Sequence, residues 1–234
     1  MALFEAEYLL PQLQVKHPIR LAIETVLVTA VALTAVRLLR VYAPAGLRWL
    51  AIPSVLATAA LAPAWIGRRP FGPIGLDARR AQVAMGAVCR TFLYMLPVII
   101  IALWAMKRLA IPIPLQQVIG PQHDWITWLL YQFLYVAVPE EMFFRGYVQT
   151  NVMRALRCGR WKMTRSDQGL VVLISAGCFA LAHVAVQGQL IAAVTFLPGL
   201  VMAWLYLRTR TLLAPILFHG LANATYAILA LKLG

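Results

Sequence analysis

Seven apolar runs, near residues 21–39, 49–66, 87–106, 125–146, 169–186, 190–207 and 212–231, follow one another, and most of the connections between them carry charge. That succession restricts the chain more than any single residue does. A hydrocarbon slab takes roughly 20 residues of helix, and inside it every backbone polar group must find a partner within the protein. The 234 residues have room for about seven or eight such spans. The expected fold class is therefore all-α, a polytopic transmembrane helical bundle of about seven or eight spans. Strands of an outer-membrane barrel would alternate polar and apolar residues, which these runs do not do. A content of 62% hydrophobic and 12% charged residues, with a mean hydropathy of +0.78, also excludes a disordered chain and a water-soluble domain.

The net charge of +13 would suggest a nucleic-acid partner in a soluble protein. Here the Lys and Arg residues lie in the connections, so topology and membrane lipids account for them and no nucleic-acid partner is expected. Seven spans put thirteen basic residues on one side: Lys16 and Arg20; Arg68, Arg69, Arg79 and Arg80; Arg154, Arg157, Arg160, Lys162 and Arg165; and Arg208 and Arg210. The other side receives six, Arg37, Arg40, Arg48, Lys107, Arg108 and Lys232. The positive-inside rule then places the N-terminus and the 147–168 connection in the cytoplasm, as a multi-pass protein of a prokaryotic plasma (inner) membrane. Cys89, Cys158 and Cys178 are far apart and outside any CxxC pattern, so neither disulfides nor a zinc knuckle is expected. Three stretches divide the chain: 1–20, a membrane-surface segment without the features of a signal peptide; 21–120, transmembrane helices without an assignable motif; and 121–234, where the polar residues gather.

An ionisable side chain within a span is costly and is by default a functional hypothesis. Glu24 and Arg90 lie near span ends, where long stems can reach the headgroups, and are read as structural. Glu140, Glu141, Arg145, His183 and His219 fall deeper, in the last four spans, and Asn223 joins them as a buried amide. Pro139 precedes the two carboxylates; lacking an N–H, it frees a carbonyl one turn earlier and makes a polar notch. Glu141 and Arg145 are four apart and can neutralise each other, while Glu140 points about 100° away and keeps a carboxylate free to act as general base. The simpler alternative is that both glutamates pair with Arg145 as interhelical glue. Phe179 and His183 share a helix face, as do His219 and Asn223. One carboxylate, two imidazoles and one amide from consecutive spans match what water activation and oxyanion stabilisation require.

Depth tests that convergence. With the fourth span ending at Gly146, Glu140 would lie about 9 Å from its inner end and His183 about 21 Å from the start of its own, too far apart to meet. The mismatch disappears if the fourth span continues through Tyr147, Val148, Val152 and Met153 to about Leu156, as a long or broken helix centred on Pro139.

In these residues the chain resembles the CPBP intramembrane endopeptidases, the type II CAAX prenyl proteases and their bacterial relatives. Their pattern, Glu-Glu-x-x-x-Arg, then Phe-x-x-x-His, then His-x-x-x-Asn, is matched here by Glu140, Glu141 and Arg145, by Phe179 and His183, and by His219 and Asn223, across roughly residues 130–226. The resemblance implies that 121–234 is a catalytic core, a membrane hydrolase acting on peptide bonds of membrane-anchored protein or peptide substrates, in protein sorting or anchor processing. It implies that Glu140 and His183 activate a water, that His219 and Asn223 form the oxyanion hole, that Glu141 and Arg145 balance charge and position Glu140, that Phe179 supports the site, and that no cofactor is needed. Two alternatives stand beside it. One is a zinc-dependent intramembrane metalloprotease with Glu140, His183 and His219 as ligands, although no HExxH pairing is present. The other is a membrane interaction or immunity protein without enzymatic activity.

Overall fold

The computed structural model describes residues 17–68, 78–110, 124–157 and 163–233. Within them the chain is all-helical, with seven helices: α1 (Pro18–Tyr42), α2 (Ala45–Ile66), α3 (Ala78–Arg108), α4 (125–156), α5 (Arg165–Gln187), α6 (Leu190–Thr209, its first six residues a 3₁₀ turn) and α7 (Leu213–Leu233). Five of these, α1, α2, α3, α5 and α6, are long and apolar enough to cross a membrane by length and composition. Leu93, Leu134, Leu181 and Leu197 are all more than half exposed on helix surfaces, as residues facing acyl chains would be, and the chain is a multi-pass membrane protein. Most of the expected surface segment, and Cys158, lie outside the described residues.

α4 is the central helix. Its first third faces outward, with Ile126, Leu130 and Leu134 exposed, but from Phe143 to Asn151 every residue is buried. The other six helices close around it through one apolar cluster that joins Phe143, Phe144, Tyr147 and Val148 to Ala32 and Val36 of α1, Leu56 and Ala60 of α2, Ala84 and Val88 of α3, Phe179 of α5, Met202 and Leu205 of α6 and Phe218 of α7. The helix runs unbroken to Leu156, as the depth argument requires. It is not regular: Gln132–Ala137 and Met142–Gln149 are wound as π-helix on either side of Val138–Glu141. Pro139 has no N–H to continue the α ladder, and the widened turns accommodate it. Val138 N–H bonds Phe133 O, five residues back, and beyond the second π segment the Thr150 hydroxyl donates to Arg145 O at 2.9 Å.

Burying the second half of α4 also buries a polar stretch that reads in the sequence as the start of a connection. Gln149 donates to Ala203 O at 2.9 Å, Thr150 pairs with the Tyr206 hydroxyl at 2.9 Å, and Asn151 donates to the Thr25 hydroxyl at 3.2 Å. Glu24 differs from expectation for the same reason. α1 packs along this half of α4, so the Glu24 carboxylate accepts from the Tyr147 hydroxyl at 3.4 Å rather than simply reaching for the headgroups. Arg90 is exposed and lies twelve residues beyond the start of α3, deeper than its expected place near a span end.

α5 is delimited at both ends. At its start Thr164 and Asp167 form a capping box, with Asp167 N–H donating to Thr164 Oγ1 at 3.1 Å and Thr164 N–H to Asp167 Oδ2 at 2.9 Å. At its end Gly188 adopts the left-handed conformation (φ 71°) and Arg37 of α1 donates to Val186 O at 2.8 Å. α7 is held by a close approach: a Cβ at Gly220 would fall on the Phe133 ring of α4. Gly220→Ala is therefore expected to destabilise the fold by about 1–3 kcal/mol through overpacking, read as a lower Tm in detergent, and Phe133→Ala in the same chain should recover much of the loss. Additive losses in the double variant would show that this contact does not set the approach of the two helices.

Candidate active site

Three helices bring the expected residues to one place. α4 presents Glu140 and Glu141 from the α-helical turn between its two π segments, α5 presents His183 four residues beyond Phe179, and α7 presents His219. Glu140 Oε2 lies 3.9 Å from His183 Nε2 and 3.9 Å from His219 Nε2, and this oxygen is buried without a hydrogen-bond partner. The Glu140 and His183 side chains each retain 20% exposure, whereas Glu141 and Arg145 have none. The carboxylate pair is thus split between an accessible member and a sealed one.

The sealed member is tied to two cations or donors at once. Glu141 Oε1 accepts from Arg145 Nη1 at 2.9 Å and from His219 Nδ1 at 2.8 Å. Arg145 continues to Gly199 O on α6 at 3.2 Å, and its guanidinium stacks over the Phe179 ring at 4.7 Å. Phe179 also touches His183 at 4.3 Å between ring centroids and meets His219 edge-on at 5.9 Å, so a single aromatic ring backs the guanidinium and both imidazoles. A Cβ at Gly199 would come within 3.4 Å of that ring and within 3.3 Å of Ala176 Cα, so a glycine here lets the α6 backbone approach the guanidinium. Glu141 therefore contacts His219 as well as Arg145, a contact additional to the positioning of Glu140 that the family resemblance implies.

The tautomers of both imidazoles follow from their neighbours. His183 Nδ1 lies 2.9 Å from Phe179 O, and a carbonyl can only accept, so Nδ1 carries the hydrogen and Nε2 faces Glu140 with its lone pair when the ring is neutral. His219 Nδ1 likewise donates to the Glu141 carboxylate, leaving Nε2 toward Glu140. Asn223 stands one turn beyond His219 on α7 and donates from Nδ2 to Gln132 Oε1 of α4 at 3.0 Å. Gln132 is a residue the sequence reading passed over. Its signal was an amide in the middle of an apolar run, eight residues before Glu140. It is buried between the exposed Leu130 and Leu134.

The three residues considered as zinc ligands meet on one oxygen at 3.9 Å, wider than the about 3.4 Å that separates ligand atoms around a tetrahedral zinc. Among the described residues no three His, Cys, Asp or Glu side chains are grouped to hold a metal ion.

A carboxylate and two imidazoles face one another inside a helical membrane bundle, with one imidazole held by a second carboxylate and an arginine holding that carboxylate, a set of groups chemically suited to acid–base hydrolysis. Residues 122–225 match the family described as type II CAAX prenyl endopeptidase Rce1-like, and this part of the chain is a domain of that peptidase family. The match opens just before Asp124, whose side chain caps α4 by accepting from Thr127 N–H at 3.1 Å, and closes two residues after Asn223, so it takes in every residue of the cluster. The family is generally independent of metal. No curated protein and no solved structure matches the chain.

The burial difference between the two glutamates has a measurable consequence. Removing Arg145, as in Arg145→Met, leaves a buried carboxylate without its cation and is expected to cost on the order of 3–5 kcal/mol, seen as loss of folded protein or a large fall in Tm. Glu140→Gln removes a partly exposed charge whose Oε2 has no partner and should shift stability by less than about 1 kcal/mol. Equal effects would contradict the division of roles.

Proposed function

We propose that the protein is an intramembrane endopeptidase that hydrolyses peptide bonds of membrane-anchored protein or peptide substrates with a water activated by Glu140 and His183. The observation that carries this reading is the pair of imidazole Nε2 atoms facing Glu140 Oε2 at 3.9 Å each. That spacing is too long for direct hydrogen bonds and wide enough for one water oxygen about 2.8 Å from each group. In this scheme the water gives a proton to the Glu140–His183 pair as its oxygen attacks the carbonyl carbon. The carbonyl π electrons move to oxygen, and the oxyanion takes hydrogen bonds from the protonated His219 ring at Nε2 and from Asn223 Nδ2. The C–N bond then breaks as the stored proton passes to the leaving amine nitrogen. Glu141 keeps His219 Nε2 toward the reaction by holding Nδ1, and Arg145 holds Glu141.

Glu140→Gln and His183→Ala are each expected to abolish peptide hydrolysis while leaving the folded, solubilised protein intact, and the double variant should be no worse than either alone. A Glu140→Gln protein with substantial turnover would remove Glu140 from the mechanism. Activity is expected to persist after phenanthroline or EDTA; loss on chelation with recovery on adding zinc would favour the metalloprotease alternative.

Sidedness decides which substrates arrive. Arg37, near the end of α1, bonds Val186, near the end of α5, so α1 and α5 run in parallel, as seven spans with the N-terminus and the 147–168 connection on one side require. We place that side in the cytoplasm on the thirteen-to-six distribution of basic residues, with the cluster reached laterally by the substrate's own membrane segment. Reporter fusions after Lys162 and at Gly234 are expected to report cytoplasmic and periplasmic positions respectively; a periplasmic signal at 162 would reverse the orientation.

A further inference from the structure

The Gln132–Asn223 bond is the described hydrogen bond that ties the lipid-facing third of α4 to the catalytic face of α7. Gln132 opens the first π segment, is 6% exposed, and lies next to Phe133, the residue that Gly220 approaches. The two contacts therefore fall side by side: the glycine brings α7 close, and the amides join across the gap. A carboxamide has two N–H groups on one planar nitrogen. When Gln132 Oε1 takes one of them, the plane of the Asn223 amide is fixed and the second N–H has a set direction. We propose that Gln132 is a positioning residue for catalysis, orienting the Asn223 carboxamide so that its second N–H is presented to the developing oxyanion. The inference rests on the oxyanion role given to Asn223 above.

A donor held in place before the reaction stabilises the transition state more than one that must be ordered during it. Loss of Gln132 should thus lower kcat and leave KM nearly unchanged. Gln132→Met keeps length and volume while removing the acceptor. Its kcat is expected to fall on the order of 10-fold, against 10²–10³-fold for Asn223→Ala. Introduced into Asn223→Ala, it should cause no further fall, because no amide is left to orient. An independent readout comes from composition, since Asn151 and Asn223 are the only asparagines in the chain. Selective ¹⁵N-asparagine labelling of the full-length protein in detergent gives two side-chain amide signals, assigned by the loss of one in Asn223→Ala. Gln132→Met should shift the Asn223 pair and leave Asn151 in place.

The outcomes separate the two levels of argument. If Asn223→Ala keeps wild-type kcat, the oxyanion role fails and the inference fails with it. If Asn223→Ala lowers kcat but Gln132→Met shifts the amide signal and lowers only Tm, the bond is interhelical glue and the inference alone is overturned. Losses that multiply in the double variant overturn it as well. Should Gln132→Met not fold, Gln132→Ala with Phe133 unchanged is read by the same two measurements, with the same expected and contrary results.

Discussion

Glu141 Oε1 is the atom on which the arrangement depends. It is fully buried and accepts from both Arg145 and His219. A carboxylate in an apolar bundle is tolerable only when paired and hydrogen-bonded, and here the two bonds made by this one oxygen, while Oε2 has none, also fasten α4 to α7 and, through Arg145 and Gly199 O, to α6. Phe179 adds α5 by packing against the guanidinium and both imidazoles. Four helices are thereby held at one level by one oxygen, one guanidinium and one ring. What remains for Glu140 is a position beside both imidazoles that none of these bonds occupies.

The backbone of α4 makes this possible at a cost to its own regularity. Pro139 and the two π segments give up α-type bonds, and each π turn widens the helix by part of a residue. The freed groups are recovered locally, by the bond from Val138 N–H to Phe133 O and by the Thr150 hydroxyl on Arg145 O. The second of the two segments is also enclosed by protein, with complete burial from Phe143 to Asn151, whereas the first keeps its backbone bonds within the helix while Leu134 is exposed.

Much of this was legible in the sequence because membranes reduce the problem to apolar length. The limits of α2 and α6 fall within four residues of the apolar runs that announced them, and the extension of α4 to Leu156 followed from matching depths alone. The partners of the buried polar residues were less legible. An i, i+4 spacing could propose Glu141 with Arg145, but nothing local could show that His219, in another helix, shares the same oxygen. Gln132, Gln149 and Thr150 were hidden for a related reason. An amide or hydroxyl in a span becomes informative only when its partner on another helix is known, and Gly199 and Gly220 speak only through the atoms a Cβ would meet. Family membership rested on motifs; the roles within the site required three dimensions.

α4 changes character along its length, from a lipid-facing surface at Ile126, Leu130 and Leu134 to an enclosed core beyond Phe143, with Glu140 at the transition. Acyl chains and the accessible carboxylate are consequently near neighbours along the same helix. If Glu140 acts as proposed, the thickness of the host bilayer becomes a chemical variable: a thinner or thicker leaflet moves the headgroup plane along α4 and changes how much of a substrate segment must leave hydrocarbon to meet Glu140, at fractions of a kcal/mol for each ångström of mismatch. On the proposed mechanism, lipid composition and access to Glu140 are coupled through the geometry of a single helix.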